Sequence, residues 1–327
     1  MSTPKILVDT DPGGDDIFAL LWLQSLVHQG VAELVAVTTA AGNIPAARTF
    51  ANASQVLRLG GLSQVEVGRA VAVPGAAAAD ATHMHGADGM GNLSHTLPAA
   101  TPGFAEARDA DELLIDTLRA APGEITILAL APLTNLAAAE EKSPGILTLA
   151  REIVLMAGAF ASPGNVTPQA EFNVFFHPEA AQKVFGSRAD IVVLPLDVTT
   201  RLLLTADRCQ AVCQANPASA MARFITALCD FMIGTALAYR ETRGRRGFLV
   251  HDAVTVGYVF YPDNLRFRRA QVHIETTGTW TRGQTLMDRR PTAKTAANAW
   301  VAWHIDVDGF FASFVADLQH LVTLRCD

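Results

Sequence analysis

Short unbroken hydrophobic runs alternate along this chain with longer stretches whose apolar residues recur every three or four positions. The runs KILVDTD (5–11), AELVAVTTAAGN (32–43), VEVGRA (65–70), EITILALA (124–131), REIVLMAGA (151–159) and ADIVVLPLDVT (189–199) predict buried strands. Between them, DDIFALLWLQSLV (15–27), AARTFANASQVLRLGG (46–61), DADELLIDTLRAAPG (109–123), PLTNLAAAEE (132–141) and HPEAAQKVFG (177–186) predict amphipathic helices, with Pro132 at a tolerated first position. Residues 71–101 read as irregular. Residues 205–260 read as mainly helical, with a polar, flexible interruption at RETRGRRG (240–247). The stretches AQVHIETTGTW (270–280) and AANAWVAWHID (296–306) predict an antiparallel addition before a last helix at GFFASFVADLQHLV (309–322). This β-α-β rhythm implies an α/β fold with a mostly parallel, Rossmann-like central sheet and helices on both faces. No repeat or linker divides the chain, so residues 1–327 are expected to form one domain.

In open parallel sheets, ligands sit outside the carboxyl ends of the strands. The conspicuous polar residues fall there. Asp9, Asp11, Asp15 and Asp16 follow the first run, Asn43 the second, Thr134 and Asn135 a later one, and Asn165, Glu171 and Asn173 the run VLMAGA. Helix capping accounts for one or two of the aspartates, because negative charge is favoured at a helix N-terminus. It does not account for all four. Carboxylates converging on one loop call for a hard dication with oxygen ligands. An EF-hand is a poor fit, because Gly13 and Leu20 stand where ligands belong. A phosphatase with an Asp-x-Asp nucleophile is a rival reading. It would place a hydroxyl or apolar residue after the second aspartate, where this chain has Pro12, Gly13 and Gly14. The glycines suit close backbone approach and positive φ.

The chain has 50% hydrophobic and 17% charged residues, which predicts a sizeable core. A net charge of -7 argues against a general nucleic-acid binder. Only three apolar residues separate Lys5 from Asp9, and no uninterrupted apolar stretch is long enough for a bilayer, so neither a secretory leader nor a membrane partner is expected. Cys209, Cys213, Cys229 and Cys326 form no CxxC pair. All four are expected as reduced thiols in a cytoplasmic protein, with Cys209 and Cys213 on one helix face.

DTDPGGDD (9–16) resembles the amino-terminal signature of the inosine–uridine-preferring nucleoside hydrolase family. HGADG (85–89), APLTN (131–135), GNVTPQAEFNVFFHPEAA (164–181) and HDAVTVGYV (251–259) resemble that family in the same order. The resemblance implies hydrolysis of the N-glycosidic bond of ribonucleosides to ribose and free base, by a Ca²⁺-bound water activated by Asp11. It implies Asp11, Asp16, Asp252 and the Leu130 carbonyl as metal ligands, and Asn43 beside the water and the sugar. Asp15 would take the ribose 2′-hydroxyl, Asn165 and Glu171 the 5′-end, and Asn173 the other ribose hydroxyls. Phe172 would pack near the sugar, and His85, Tyr239 and His251 would serve the base, with Asp9 in support. A homodimer or homotetramer is also implied. On an extended chain His83 would point away from His85, and it receives no role. Ala131 and Gly14 depart from the family pattern, and Gly14 is expected to loosen the aspartate loop. Trp22, Trp280, Trp300 and Trp303 lie outside the base-contacting segments, which favours the inosine–uridine or pyrimidine-leaning branch. A catalytically quiet nucleoside-binding protein on the same fold is the remaining alternative.

Overall fold

A computed structural model describes residues 3–72, 81–290 and 296–324. Twelve strands occur among them: β1 (Lys5–Thr10), β2 (Glu33–Thr39), β3 (Val67–Gly68), β4 (Ile125–Ala129), β5 (Glu152–Met156), β6 (Ile191–Leu194), β7 (Leu203–Leu204), β8 (Phe248–Leu249), β9 (Leu265–Ala270), β10 (Val272–Ile274), β11 (Thr285–Met287) and β12 (Ala299–Ile305). Eight form one sheet in the order β3-β2-β1-β4-β5-β6-β12-β9. The first six follow the doubly wound order, which reverses between β1 and β4 and opens a crevice at their carboxyl ends. All neighbours are parallel except β12 and β9.

Helices cover both faces: α1 (Gly14–His28), α2 (Ala46–Leu59), α3 (Thr82–His85), α4 (Ala110–Ala120), α5 (Thr134–Lys142), α6 (Phe172–Phe176), α7 (Pro178–Ser187), α8 (Leu196–Thr199), α9 (Ala206–Cys213), α10 (Ala220–Ala238), α11 (Ala253–Phe260) and α12 (Val307–Thr323). The two-residue period of the strands divides their side chains between the faces. Ile6, Val8, Leu128, Val154 and Val192 pack with α1, α2 and α9–α12. Leu7, Ile127, Ile153, Leu155 and Val193 pack with α4, α5 and α7. Both faces are thus buried, which is why the strands read as continuous apolar runs.

Several elements differ from the sequence expectation. Helix α1 is buried on every side from Gly14 to Leu26 rather than amphipathic, because it lies over the sheet and touches α2, α11 and α12. Trp22 sits at its centre, with ring centroids 5.1 Å from Phe314 and 5.3 Å from Phe310, and donates its indole N–H to Asp317 at 2.7 Å. The run ADIVVLPLDVT stops as a strand at Leu194, before Pro195, and turns into α8. Strand β12 is not part of a separate antiparallel addition. It enters the main sheet parallel to β6, while β9 on its far side and the β10–β11 and β7–β8 pairs are antiparallel.

Cys209 and Cys229 are joined in a disulfide linking α9 to α10, against the expectation of reduced thiols. Packing of these two helices brings together cysteines that the sequence separates. Cys213 is free and buried, and Cys326 lies outside the described residues. Helix α10 is long and apolar enough to span a bilayer by length and composition, yet half of that stretch is buried within the protein.

Candidate active site

The aspartate loop begins where β1 ends. Asp9 is fully buried and its Oδ1 accepts hydrogen bonds from Thr38 Oγ1 and Asn135 Nδ2, both at 2.7 Å. It therefore ties β1 to β2 and to the start of α5. Asp11 is buried, with Oδ2 held by the Asn43 N–H at 2.6 Å and Oδ1 without a partner. Asp16 accepts from Thr10 Oγ1 at 2.6 Å, from the Gly13 N–H at 3.1 Å and from Asn43 Nδ2 at 3.0 Å. Capping of α1 thus explains part of Asp16, while Asn43 braces both Asp11 and Asp16.

The glycines act through close approach. Gly13 has φ near -99°, so positive φ has no part here. A Cβ on Gly42 would collide with Asp11 Oδ2, and one on Gly14 would collide with the Met232 sulfur. Gly14 is therefore packed against Met232 of α10.

Ligand oxygens of Asp15, Asp16 and Asp252 lie within 4.8 Å of one another, with all three residues buried. Burial pushes the Asp15 carboxyl up to about 8, with Asp16 adding to it. Asp11 is driven well above the usual carboxylate range by burial and then by the charge of Asp16. Asp252 is driven up by burial and then by Asp15 and Asp16. Crowding and burial thus disfavour full ionisation of the cluster, and Asp15 and Asp252 are joined by a side-chain hydrogen bond. Two ligands of one dication at about 2.3–2.6 Å stand no more than about 5 Å apart. The spacing, the all-oxygen donor set and the orphaned Asp11 oxygen therefore fit a hard metal ion. The trio includes Asp15, whereas the resemblance named Asp11, which sits beside it.

A cavity of about 640 Å³ opens over this floor. Every residue proposed from the sequence for substrate or metal lines it except Asp11 and Asp16, which lie buried: Asp15, Asn43, His85, Leu130, Asn165, Glu171, Phe172, Asn173, Tyr239, His251 and Asp252 all contribute. Asn173 Nδ2 donates to the Leu130 carbonyl at 2.7 Å and to the Met156 carbonyl at 3.0 Å, pinning the ends of β4 and β5. Glu171 caps α6, accepting from the Asn173 and Val174 N–H groups, and also from Gly158 at 2.9 Å. The exposed Asn165 accepts from the Phe172 N–H at 2.9 Å. His85 accepts from the Gly14 N–H at 2.9 Å through Nδ1, so it is neutral with its proton on Nε2. Burial lowers both His85 and His251 to about 4.

His83 corrects the sequence reading. Residues 82–85 form a helical turn rather than an extended chain, so His83 and His85 both line the cavity, and the His83 ring packs edge-on to Tyr239 at 4.8 Å. Sequence reasoning also missed Met232, Glu241, Phe175 and Phe176 in the lining, and Thr199 behind His251. No local motif marks Met232, Glu241 or Thr199, whereas Phe175 and Phe176 fall inside the 164–181 block. Trp22 is core, and Trp280, Trp300 and Trp303 are exposed, so none lines the cavity.

Residues 6–312 match the family model described as inosine-uridine preferring nucleoside hydrolase. Among relatives, uridine nucleosidase 1 of Arabidopsis thaliana is 34% identical over 96% of this chain and 93% of its own length. A pyrimidine-specific ribonucleoside hydrolase of Shigella sonnei is 33% identical over 95% and 96%. Among solved structures, a purine-preferring ribonucleoside hydrolase from Gardnerella vaginalis superposes with a TM-score of 0.88 at 27% identity, covering 97% of this chain and 99% of that one. With the aspartate cluster at the carboxyl ends of β1 and β4 and this match across nearly the whole chain, the protein belongs to the inosine–uridine preferring nucleoside hydrolase family and is a ribonucleoside hydrolase.

Proposed function

We propose that the enzyme hydrolyses inosine and uridine, with a leaning toward pyrimidine nucleosides, and that Asp11 is the general base. The observation carrying this assignment is the unpartnered Asp11 Oδ1, buried at the cavity floor while Oδ2 is fixed by the Asn43 N–H. A carboxylate held by one oxygen presents the other in a defined direction, as proton abstraction from a water requires. Asp11, Asp16, Asp252 and the Leu130 carbonyl, with Asp15 adjacent, would hold one Ca²⁺ per chain, and the ion would lower the pKa of a water and orient the sugar hydroxyls.

Asp15 lines the cavity and is the acceptor proposed for the ribose 2′-hydroxyl. Asn173 has committed its Nδ2 to two carbonyls, which leaves Oδ1 for the remaining sugar hydroxyls. Asn165 and Glu171 would meet the 5′-end and Phe172 the sugar. Because the Glu171 oxygens already accept three backbone N–H groups, that residue also sets the position of Asn173. His85, Tyr239 and His251 would surround the base. His251 would favour departure of a purine by donating a hydrogen bond to it, so His251→Ala should lower kcat far more for inosine than for uridine.

The absence of tryptophan from the cavity lining, together with the uridine- and pyrimidine-directed names of the relatives, supports the specificity. We further propose a homodimer or homotetramer in the cytoplasm. A panel of inosine, uridine, cytidine and adenosine, read as release of free base and reducing sugar, tests the assignment. Binding of inosine without release of base would mark a nucleoside-binding protein instead. Release of phosphate from a phosphorylated substrate would mark a phosphatase.

A further inference from the structure

Behind His251 stands a residue that no sequence motif identifies. Thr199, fully buried in α8, places its Oγ1 2.7 Å from His251 Nδ1. Thr199 does not line the cavity, whereas His251 does, so the bond lies on the far side of the ring and leaves Nε2 as the nitrogen available to a ligand.

The turn that carries Thr199 is anchored at several points. The Leu196 N–H donates to the Gly158 carbonyl at 2.9 Å, joining α8 to the end of β5. The Asp197 carboxylate accepts from the N–H groups of Phe160 at 2.9 Å, Ala161 at 2.8 Å and Ser162 at 3.3 Å. Thr200 closes the turn on the Leu196 carbonyl at 2.7 Å. The Thr199 hydroxyl therefore has little freedom to move.

Hydrogen-bond accounting assigns the proton. A buried hydroxyl donates its hydrogen to some acceptor, and among the described residues the side-chain bond of Thr199 is to His251 Nδ1. With the hydroxyl donating, Nδ1 is the acceptor, and a neutral imidazole that accepts at Nδ1 carries its hydrogen on Nε2. We infer that Thr199 is a positioning residue that holds His251 as an Nε2–H donor aimed at the base. This rests on the reading in which His251 serves the base, and it adds the group that fixes the tautomer and the ring plane. A donor at that place selects bases that offer an acceptor to it. A ring free to flip or change tautomer would present an acceptor part of the time and lose that selectivity.

The test uses the Ca²⁺-loaded full chain with metal content matched between variants. Thr199→Val keeps the shape and removes the hydroxyl, and Thr199→Ser restores it. Two readouts are taken: the His251 tautomer, from ¹⁵N-histidine NMR, and single-turnover rates on inosine and uridine. The expected result is the Nε2–H tautomer in the unmodified enzyme and in Thr199→Ser, and a mixture in Thr199→Val. For Thr199→Val, kcat on inosine should fall about tenfold to a hundredfold, a fraction of what a positioned general acid supplies. Its KM should move less than about threefold, Thr199→Ser should recover most of the loss, and Thr199→Val should cost nothing further in a His251→Ala background. An unchanged tautomer in Thr199→Val, or the same loss with and without His251, overturns the inference. The tautomer reports on Thr199 alone and the His251→Ala rates on the reading beneath it, so failure of one is distinguishable from failure of the other.

Discussion

Adding one methyl group at Gly42 should disable the enzyme without removing any reacting group. A Cβ there would collide with Asp11 Oδ2, stand 2.8 Å from Asp11 Cγ and stand 2.9 Å from Pro132 Cδ. Ordinary carbon contacts begin near 3.5 Å. The carboxyl or the loop must therefore shift by more than half an ångström, and by more at Oδ2. Pro132 blocks retreat on one side, and the Asn43 N–H that fixes Oδ2 belongs to the next residue, so Asp11 and its brace cannot both keep their places. Displacing a reacting group by about 1 Å costs on the order of 10²-fold in rate. Overpacking a buried site costs about 1–3 kcal/mol in stability. Gly42→Ala should thus lower kcat about a hundredfold while urea unfolding shows a folded protein. Gly186→Ala is the control, because a Cβ in that exposed part of α7 meets nothing within 4 Å. It should leave kcat unchanged and add roughly 0.5–1 kcal/mol of stability. A Gly42→Ala enzyme with kcat within threefold of normal would refute the claim that Asp11 must hold its present position.

Prolonged chelation should abolish activity and lower the Tm, since an ion bound to the folded state at a thousand times its Kd adds about 4 kcal/mol; unchanged thermal melting after verified metal removal would contradict this. Asn173→Ala should cost on the order of 1–3 kcal/mol in urea unfolding, because it removes the donor of the buried Met156 carbonyl and one partner of the Leu130 carbonyl. Burial raises the Asp88 carboxyl, but the N–H groups of Ser94, Met90 and Asn92 and the Ser94 hydroxyl together outweigh it and leave the group below its ordinary value. A depressed carboxylate stabilises the fold above its unfolded pKa and loses that contribution as pH falls through the folded one. Asp88→Asn should therefore lower the Tm at pH 7, by an amount equivalent to roughly 1–3 kcal/mol, and the difference should shrink on acidification; a difference independent of pH would contradict the assignment.

The aspartate loop was legible because an unbroken apolar run can end in so much charge only where a strand delivers it to a ligand. The same reasoning located Asn43, four residues past β2, and Asn173, at the start of α6, whereas the Leu130 carbonyl came from the family resemblance alone. Hidden features arise where local pattern carries no weight. Helices α3 and α8 have four residues each, too few for a 3.6-residue period to register, and so His83 was set aside and Thr199 overlooked. Strand β9, LRFRRA, lies at the sheet edge, where three arginines interrupt the apolar run that betrayed the inner strands. Met232 and the Cys209–Cys229 pair belong to helices packed on each other and on α12, and contacts made by such packing leave no trace in local spacing.

Asp11 as the general base carries the proposed mechanism. The decisive measurement is the single-turnover rate of inosine cleavage by Asp11→Asn, with metal content shown equal to that of the unmodified enzyme. Asparagine keeps the size of the side chain and its bond to the Asn43 N–H, while removing the capacity to take a proton. The expected result is a fall in rate of about 10²–10⁴-fold with KM changing far less. A rate near normal in the metal-matched variant would contradict the assignment and place the base elsewhere in the cluster.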